Sequence, residues 1–127
     1  MSDNAVKKDS YLEGRQLEAQ ARQHNSASTW LTFAEVKASK GSYPMATMGY
    51  LNAAIALEAS ANFAAAIDAY NSGLKIAMKG KLKEPVLFLA YRLAALHERS
   101  AAFAQAAVVY EQLADYFEID RDRKSVV

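Results

Sequence analysis

The side chains in this chain that could do chemistry are few and widely spaced. Its two histidines, His24 and His97, have no second histidine and no carboxylate at metal-ligand spacing nearby, so we expect neither a metal site nor a cofactor. Glu58 and Asp68 could supply a general acid and a general base, but they fall on opposite helices of one predicted hairpin, whose packing leaves no obvious pocket between them. We therefore predict that the protein is not an enzyme.

Composition excludes several other classes of function. The 127 residues suffice for one domain, and the absence of cysteine excludes disulfides, thiolate zinc sites and a cysteine nucleophile. A formal net charge of +1 provides no field that would attract nucleic acid or an anionic membrane. The N-terminus lacks the apolar core of a signal peptide, and no stretch approaches the roughly 20 apolar residues that span a bilayer. We expect a cytoplasmic protein with no nucleic-acid partner and no direct membrane insertion.

Cap and turn residues divide the chain into helices. Ser10 followed by Glu13 matches a capping box. Gly41 and Gly80 are predicted helix C-caps, and Pro44 suits the first turn of a helix. We expect residues 1–9 to form a flexible N-terminus, residues 10–119 the domain, and residues 120–127 a charged flexible tail. The six predicted helices span residues 11–23, 27–40, 44–59, 63–79, 85–99 and 101–119.

The helix predicted after Pro44 has no charged side chain over residues 45–57. A helix that needs no charge is covered on more than one side. We therefore expect this helix at the centre of the molecule, with helices packed before and after it.

Internal repetition indicates three helical hairpins, in units of about residues 10–40, 44–79 and 85–119. The predicted helix ends at Gly41 and Gly80 are thirty-nine positions apart. A small residue, a large residue four positions later and a usually small residue three positions after that recur on one helix face. The three copies are Ala27, Leu31 and Ala34; Ala66, Tyr70 and Gly73; and Ala106, Tyr110 and Leu113.

At these residues, with Phe63 and Phe103 opening the second helices of the last two hairpins, the chain resembles a tetratricopeptide repeat (TPR). The resemblance implies an all-α fold in which antiparallel helical hairpins stack as a right-handed array of about six helices. It also implies that the chain binds a protein or peptide, as an adaptor, chaperone or assembly subunit. The units are longer than the ~34 residues usual for the family, so TPR-like is the appropriate description.

In such an array the first helices of the hairpins line a groove. Asn52 and Arg92 lie forty positions apart, at places where some family members clamp the C-terminal carboxylate of a peptide, and a guanidinium suits that task. Other clamp cations are missing, since Leu12 and Phe88 stand in their places. Apolar side chains are an alternative ligand, and some of these residues could equally belong to the core. The predicted partner groove comprises Met48, Leu51, Asn52, Ile55, Phe88, Tyr91 and Arg92.

A second resemblance covers residues 54–79, which are similar to the first hairpin of an MIT domain, a three-helix module that docks helical tails of membrane-remodelling proteins. Ala54-Ile55, Leu57-Glu58 and Gly73-Leu74 fit that pattern. The third helix departs from it, and a further helix follows that a minimal MIT domain does not have. Under this alternative the chain would be an MIT-like reader of helical tails.

The last predicted helix carries apolar residues over too wide an arc for one buried stripe. Repeat arrays close with a polar-faced capping helix, and none follows here. We therefore expect its outer face to meet a second copy of the chain, a client, or residues outside this sequence. A self-assembly subunit that dimerises through this helix is therefore another alternative. The predicted oligomer or client face comprises Val108, Val109, Tyr116 and Phe117.

Overall fold

The computed structural model describes residues 15–16 and 26–125, with side chains as far as residue 118. The described residues form helices and turns with no strand, which confirms the all-α prediction. The helices are α1 (Ala27–Ser39), α2 (Tyr43–Ala59), α3 (Phe63–Lys79), α4 (Lys83–Arg99) and α5 (Phe103–Ser125). Of the helix predicted at residues 11–23, only Arg15 and Gln16 are described, and both are helical. The capping box at Ser10 and Glu13 lies outside the described residues, and the count of six helices stays a prediction.

The four helices α2 to α5 begin twenty residues apart, and the connection before each has the same geometry. The turn residues with positive φ are Gly41 (74°), Ala61 (61°), Lys81 (56°) and Ala101 (56°). After α2, the N–H of Asn62 donates to the Leu57 carbonyl at 2.9 Å, and the same six-residue closure follows α1, α3 and α4. These are Schellman closures, which end a helix and satisfy its last carbonyls. The repeating unit is therefore a helix of seventeen residues and a turn of three.

This period corrects the predicted spacing of thirty-nine residues. Gly80 is not the left-handed residue of its turn: its φ is −81°, and Lys81 takes the positive φ. Gly80 is required for a different reason, because a Cβ on it would lie 2.8 Å from the Tyr43 Cβ at the start of α2. With the correct spacing of forty residues per hairpin, the residue equivalent to Tyr70 is the buried Trp30 rather than the half-buried Leu31.

Successive helices pack on one another: α1 on α2, α2 on α3, α3 on α4 and α4 on α5. Small residues permit the closest approaches: a Cβ on Gly49 would meet the Ala34 Cβ at 2.9 Å, and one on Gly73 would meet the Tyr50 Cβ at 3.1 Å. These pairings, together with the three-residue turns, make neighbouring helices antiparallel. The largest fully buried side chains come chiefly from α4, with one each from α1 and α3: Tyr70, Phe33, Leu89, Leu93, Leu96 and Val86.

Helix α2, which has no charged residue before Glu58, has helices packed before and after it, as predicted, but it buries only small residues there. Its larger apolar residues, Met48, Leu51 and Ile55, are half-buried. The lack of charge over residues 45–57 of α2 therefore reflects contacts with two helices and a third side that is partly open.

Helix bounds differ from prediction at the C-terminal end of the chain. Helix α4 begins at Lys83, two residues before the predicted start, and α5 runs from Phe103 to Ser125 rather than ending at residue 119. None of the described helices has both the length and the apolar content needed to cross a membrane.

Candidate partner groove

The N-terminal halves of α2 and α4 enclose an open depression of about 440 Å³, which we call the α2–α4 groove. The two helices are forty residues apart in the chain, so equivalent positions on them face the same space. A proline stands near the start of each helix, where its missing N–H is tolerated. The residues lining the groove are Pro44, Thr47, Met48, Leu51, Glu84, Pro85 and Phe88.

The structure brings together three of the seven predicted groove residues: Met48, Leu51 and Phe88 all line the depression. Phe88 is 49% exposed although it is a large apolar residue. Tyr91 is likewise exposed on α4, one turn further along, but does not line the depression. Asn52 and Ile55 are half-buried on α2 outside it. The apolar part of the predicted groove is thus concentrated at one end of the two helices.

Arg92 lies at the other end, where it lines a second depression of about 350 Å³ with Glu58, Ala95 and Arg99. Its Nε donates a hydrogen bond to the Tyr70 hydroxyl at 3.1 Å, and its guanidinium lies 5.4 Å from the centre of the Phe88 ring. A cation over an aromatic face is attracted by the ring quadrupole. Arg92 therefore has an internal role beside α3, and the carboxylate clamp with Asn52 stays a prediction.

Glu58 is the centre of this polar end. The Tyr70 hydroxyl donates to Glu58 Oε1 at 2.9 Å, and Arg99 donates to Oε2 in a salt bridge. Burial alone would raise the pKa of Glu58, but the hydrogen bonds from Tyr70 and Arg99 and the charges of Arg99 and Arg92 outweigh it and lower the pKa. Burial raises the pKa of the Tyr70 phenol, against the opposing hydrogen bond from Arg92. This network joins α2, α3 and α4.

The same contact recurs one hairpin later, where the Tyr110 hydroxyl donates to Glu98 Oε1 at 3.1 Å. Tyr70 is fully buried beneath α4, whereas Tyr110 is 39% exposed because no described helix covers it. Sequence reasoning considered Glu58 as an acid–base candidate, but it missed Glu98 and the contacts of both glutamates with tyrosine. The signal that could have found them is a Glu–Tyr pair twelve residues apart that repeats after forty residues.

The predicted face on α5 requires a correction. Val109 is buried, at 4% exposed, because it points into the core that α5 shares with α4. Tyr116 and Phe117 are half-buried and pack edge to face, with ring centroids 5.1 Å apart, against that core. Of the four predicted residues only Val108 is exposed, at 50%, and the exposed aromatic residues of α5 are Phe103 and Tyr110.

The side of α5 on which a further helix would stack differs from the matching side of α3. The α3 residues Ile67, Leu74 and Met78 pack on the core, while their counterparts on α5 are the exposed Ala107, Ala114 and Glu118. Small and polar residues thus stand where the stacked helix has large apolar ones. The expectation that this side must meet a partner is weakened, because α5 itself has features of a capping helix.

Among the described residues, no three histidine or carboxylate side chains come together in a way that could hold a metal ion. Comparisons of the chain with protein-family models, with curated proteins and with solved structures find no match. Any statement about function therefore depends on the geometry of the grooves and faces described above.

Proposed function

We propose that this chain is a protein-interaction module, of the adaptor, chaperone or assembly type, that binds a segment of a partner protein in the α2–α4 groove. The observation that carries the proposal is the depression of about 440 Å³ with a mostly apolar wall and a half-exposed phenylalanine, Phe88. Concave apolar surfaces with few polar groups are the usual form of binding sites. An amphipathic helix or an extended segment would bury its apolar side chains there.

Three features support a TPR-like array as the arrangement that presents this groove. The helices recur every twenty residues, their connections share one geometry, and each helix packs on its neighbours in the chain. Stacking of each structural repeat on the next is characteristic of repeat proteins. An MIT-like module of three helices would leave α5 unaccounted for, whereas Val109 and Leu113 of α5 belong to the same core as the leucines of α4.

A selection of peptides tests the function while the partner is unidentified. A displayed library of random peptides is enriched on the full chain, and the affinities of the selected peptides are measured for two variants. Phe88→Glu places a charge in the groove, and Phe63→Glu makes the same change on a phenylalanine of α3 with similar exposure, 49% against 44%. Both side chains are already exposed, so neither change empties the core.

We expect the selected peptides to bind the wild type and Phe63→Glu alike and to lose at least tenfold in affinity for Phe88→Glu, which corresponds to about 1.4 kcal/mol. Peptides that bind all three proteins equally would place recognition elsewhere. Failure to enrich any peptide would contradict the groove as an interaction site.

Self-assembly through α5 is a second candidate function, favoured by the exposure of Phe103 and Val108. Exposed apolar residues on the end helix of an array can provide a surface for a second copy. Sedimentation velocity over a hundredfold range of concentration tests it. Self-assembly predicts a dimer that Val108→Glu dissociates, and a monomer at every concentration contradicts it.

A further inference from the structure

Helices α4 and α5, at the end of the array, carry a second copy of the Glu–Tyr contact that joins α2 to α3. The Tyr70 hydroxyl donates to one oxygen of Glu58 at 2.9 Å, and the Tyr110 hydroxyl donates to the same oxygen of Glu98 at 3.1 Å. In both copies the second carboxylate oxygen and the tyrosine oxygen can still accept a hydrogen bond. Each copy is therefore a pair of acceptors set at a junction of two helices.

The first copy shows which groups such a pair accepts. Helix α4 packs on α3 and brings two arginines to it. Arg92 Nε donates to the Tyr70 hydroxyl at 3.1 Å, and Arg99 forms a salt bridge with the second oxygen of Glu58. Two residues seven positions apart lie on the same face of a helix, about 10 Å apart along its axis. The chain itself thus shows a Glu–Tyr pair bound by a helix that carries two arginines at this spacing.

The second copy has its acceptors exposed. Tyr110 is 39% exposed and Glu98 lies on the surface, whereas Tyr70 is fully buried beneath α4. The hydrogen bond to Glu98 raises the pKa of the Tyr110 phenol, and no arginine of the described residues opposes this rise as Arg92 does at Tyr70. The Glu98–Tyr110 pair therefore lacks, within the described part of the chain, the cations that its first copy has.

The surroundings of the second copy favour a cation. The Tyr91 ring, 54% exposed, lies 6.2 Å from the Tyr110 ring and stands where the first hairpin has Leu51. An aromatic face attracts a guanidinium, as Phe88 does at 5.4 Å from Arg92. Over residues 103–118, α5 has three carboxylates and no lysine or arginine. A planar guanidinium can bond a carboxylate and stack on a ring, so arginine suits this surface better than lysine.

We propose that Glu98, Tyr110 and Tyr91, which we call the α4–α5 end site, bind a helix of a partner protein that presents two arginines seven residues apart. One arginine donates to Glu98 and the other to the Tyr110 hydroxyl, beside the Tyr91 ring. Because α5 has small and polar residues where α3 has large apolar ones, these polar contacts decide which helix fits. The site is separate from the α2–α4 groove, so the inference does not rest on the proposed function.

Two alanine-rich helical peptides of identical composition test the site. One has two arginines seven positions apart, on one face, and the other has them five positions apart, on different faces. Each peptide is titrated into the full chain, and its affinity is measured from the ring resonances of Tyr91 and Tyr110. The titrations are repeated with Glu98→Gln and with Glu111→Gln, a matched control that removes an exposed carboxylate of α5 outside the Glu98–Tyr110 pair.

We expect the peptide with the seven-residue spacing to bind about fivefold more tightly than the other, and to lose about fivefold in affinity for Glu98→Gln but not for Glu111→Gln. Equal affinities of the two peptides, or equal losses in the two variants, would reduce binding to a general attraction to an acidic helix and overturn the proposal. Tyrosine rings that do not shift would overturn it as well. A wild-type dimer that Glu98→Gln dissociates in sedimentation velocity would place a second copy at the site instead of a partner helix.

Discussion

Gly80 and Lys81 are adjacent in the turn between α3 and α4, and we predict that substitutions at the two positions change the free energy of unfolding in opposite directions. Lys81 has φ of 56°, in the left-handed region that strains a residue with a side chain by about 1–2 kcal/mol. Glycine removes that strain but makes the unfolded chain more flexible, by about 0.5–1 kcal/mol. Lys81→Gly should therefore stabilise the protein by about 0.5–1 kcal/mol.

Gly80→Ala should do the reverse. Its φ of −81° is open to any residue, so alanine gains about 0.4–1 kcal/mol by stiffening the unfolded chain. The new Cβ would lie 2.8 Å from the Tyr43 Cβ, and two Cβ atoms separate only if one helix end shifts. Overpacking of this kind costs about 1–3 kcal/mol, so we expect a net destabilisation of about 1–2 kcal/mol.

Urea unfolding followed by circular dichroism measures both changes, with Ala61→Gly as a control at the equivalent turn position before α3 (φ 61°). Ala61→Gly should stabilise the protein by an amount similar to Lys81→Gly. A Gly80→Ala variant as stable as the wild type would contradict the close approach of Gly80 to Tyr43. A Lys81→Gly variant less stable than the wild type would refute the assignment of the left-handed residue to position 81.

Three further predictions concern packing and pH. Tyr70→Phe should destabilise the protein by about 1.5–3 kcal/mol in urea unfolding, because it removes hydrogen bonds to the charged Glu58 and Arg92. Tyr110→Phe, at the exposed copy of this contact, should change the free energy of unfolding by less than about 1 kcal/mol. Equal effects of the two substitutions would contradict the stabilising role of the Glu58–Tyr70–Arg92 network. Because the pKa of Glu58 is lowered on folding, its stabilisation is present above its unfolded-state pKa of about 4.5 and is lost as pH falls through the folded pKa. Unfolding measured from pH 6 to pH 3 should therefore show a steeper loss of stability for the wild type than for Glu58→Gln. Parallel curves would contradict a pKa of Glu58 that is lowered on folding. Gly49→Ala should lower the thermal midpoint of unfolding, because its new Cβ would lie 2.9 Å from the Ala34 Cβ and force α1 and α2 apart. An unchanged midpoint would contradict the close approach of α1 to α2 at Gly49.

The sequence was informative wherever a local pattern determines the structure. Helix ends at Gly41 and near residues 60 and 80 follow from turn residues, and the absence of charge over residues 45–57 predicted a helix covered on several sides. The groove residues Met48, Leu51 and Phe88 were found because equivalent positions on the first helices of a repeat must face one side.

Features that depend on contacts between distant residues were not accessible in the same way. A glycine at a helix end predicts positive φ, and nothing local reveals that Gly80 is needed against Tyr43 instead. Helical periodicity places Val108 and Val109 on α5 but does not fix which of them faces α4, so Val109 was wrongly predicted as exposed.

Methyl NMR of the full chain with a selected peptide shows directly whether the α2–α4 groove holds a segment of a partner protein. We expect the resonances of Met48 and Leu51 to shift on binding and to show contacts to the peptide, while those of Val108 on α5 stay unchanged. Shifts confined to Val108 and its neighbours, with Met48 and Leu51 unmoved, would contradict binding in the groove and place the interaction on the last helix.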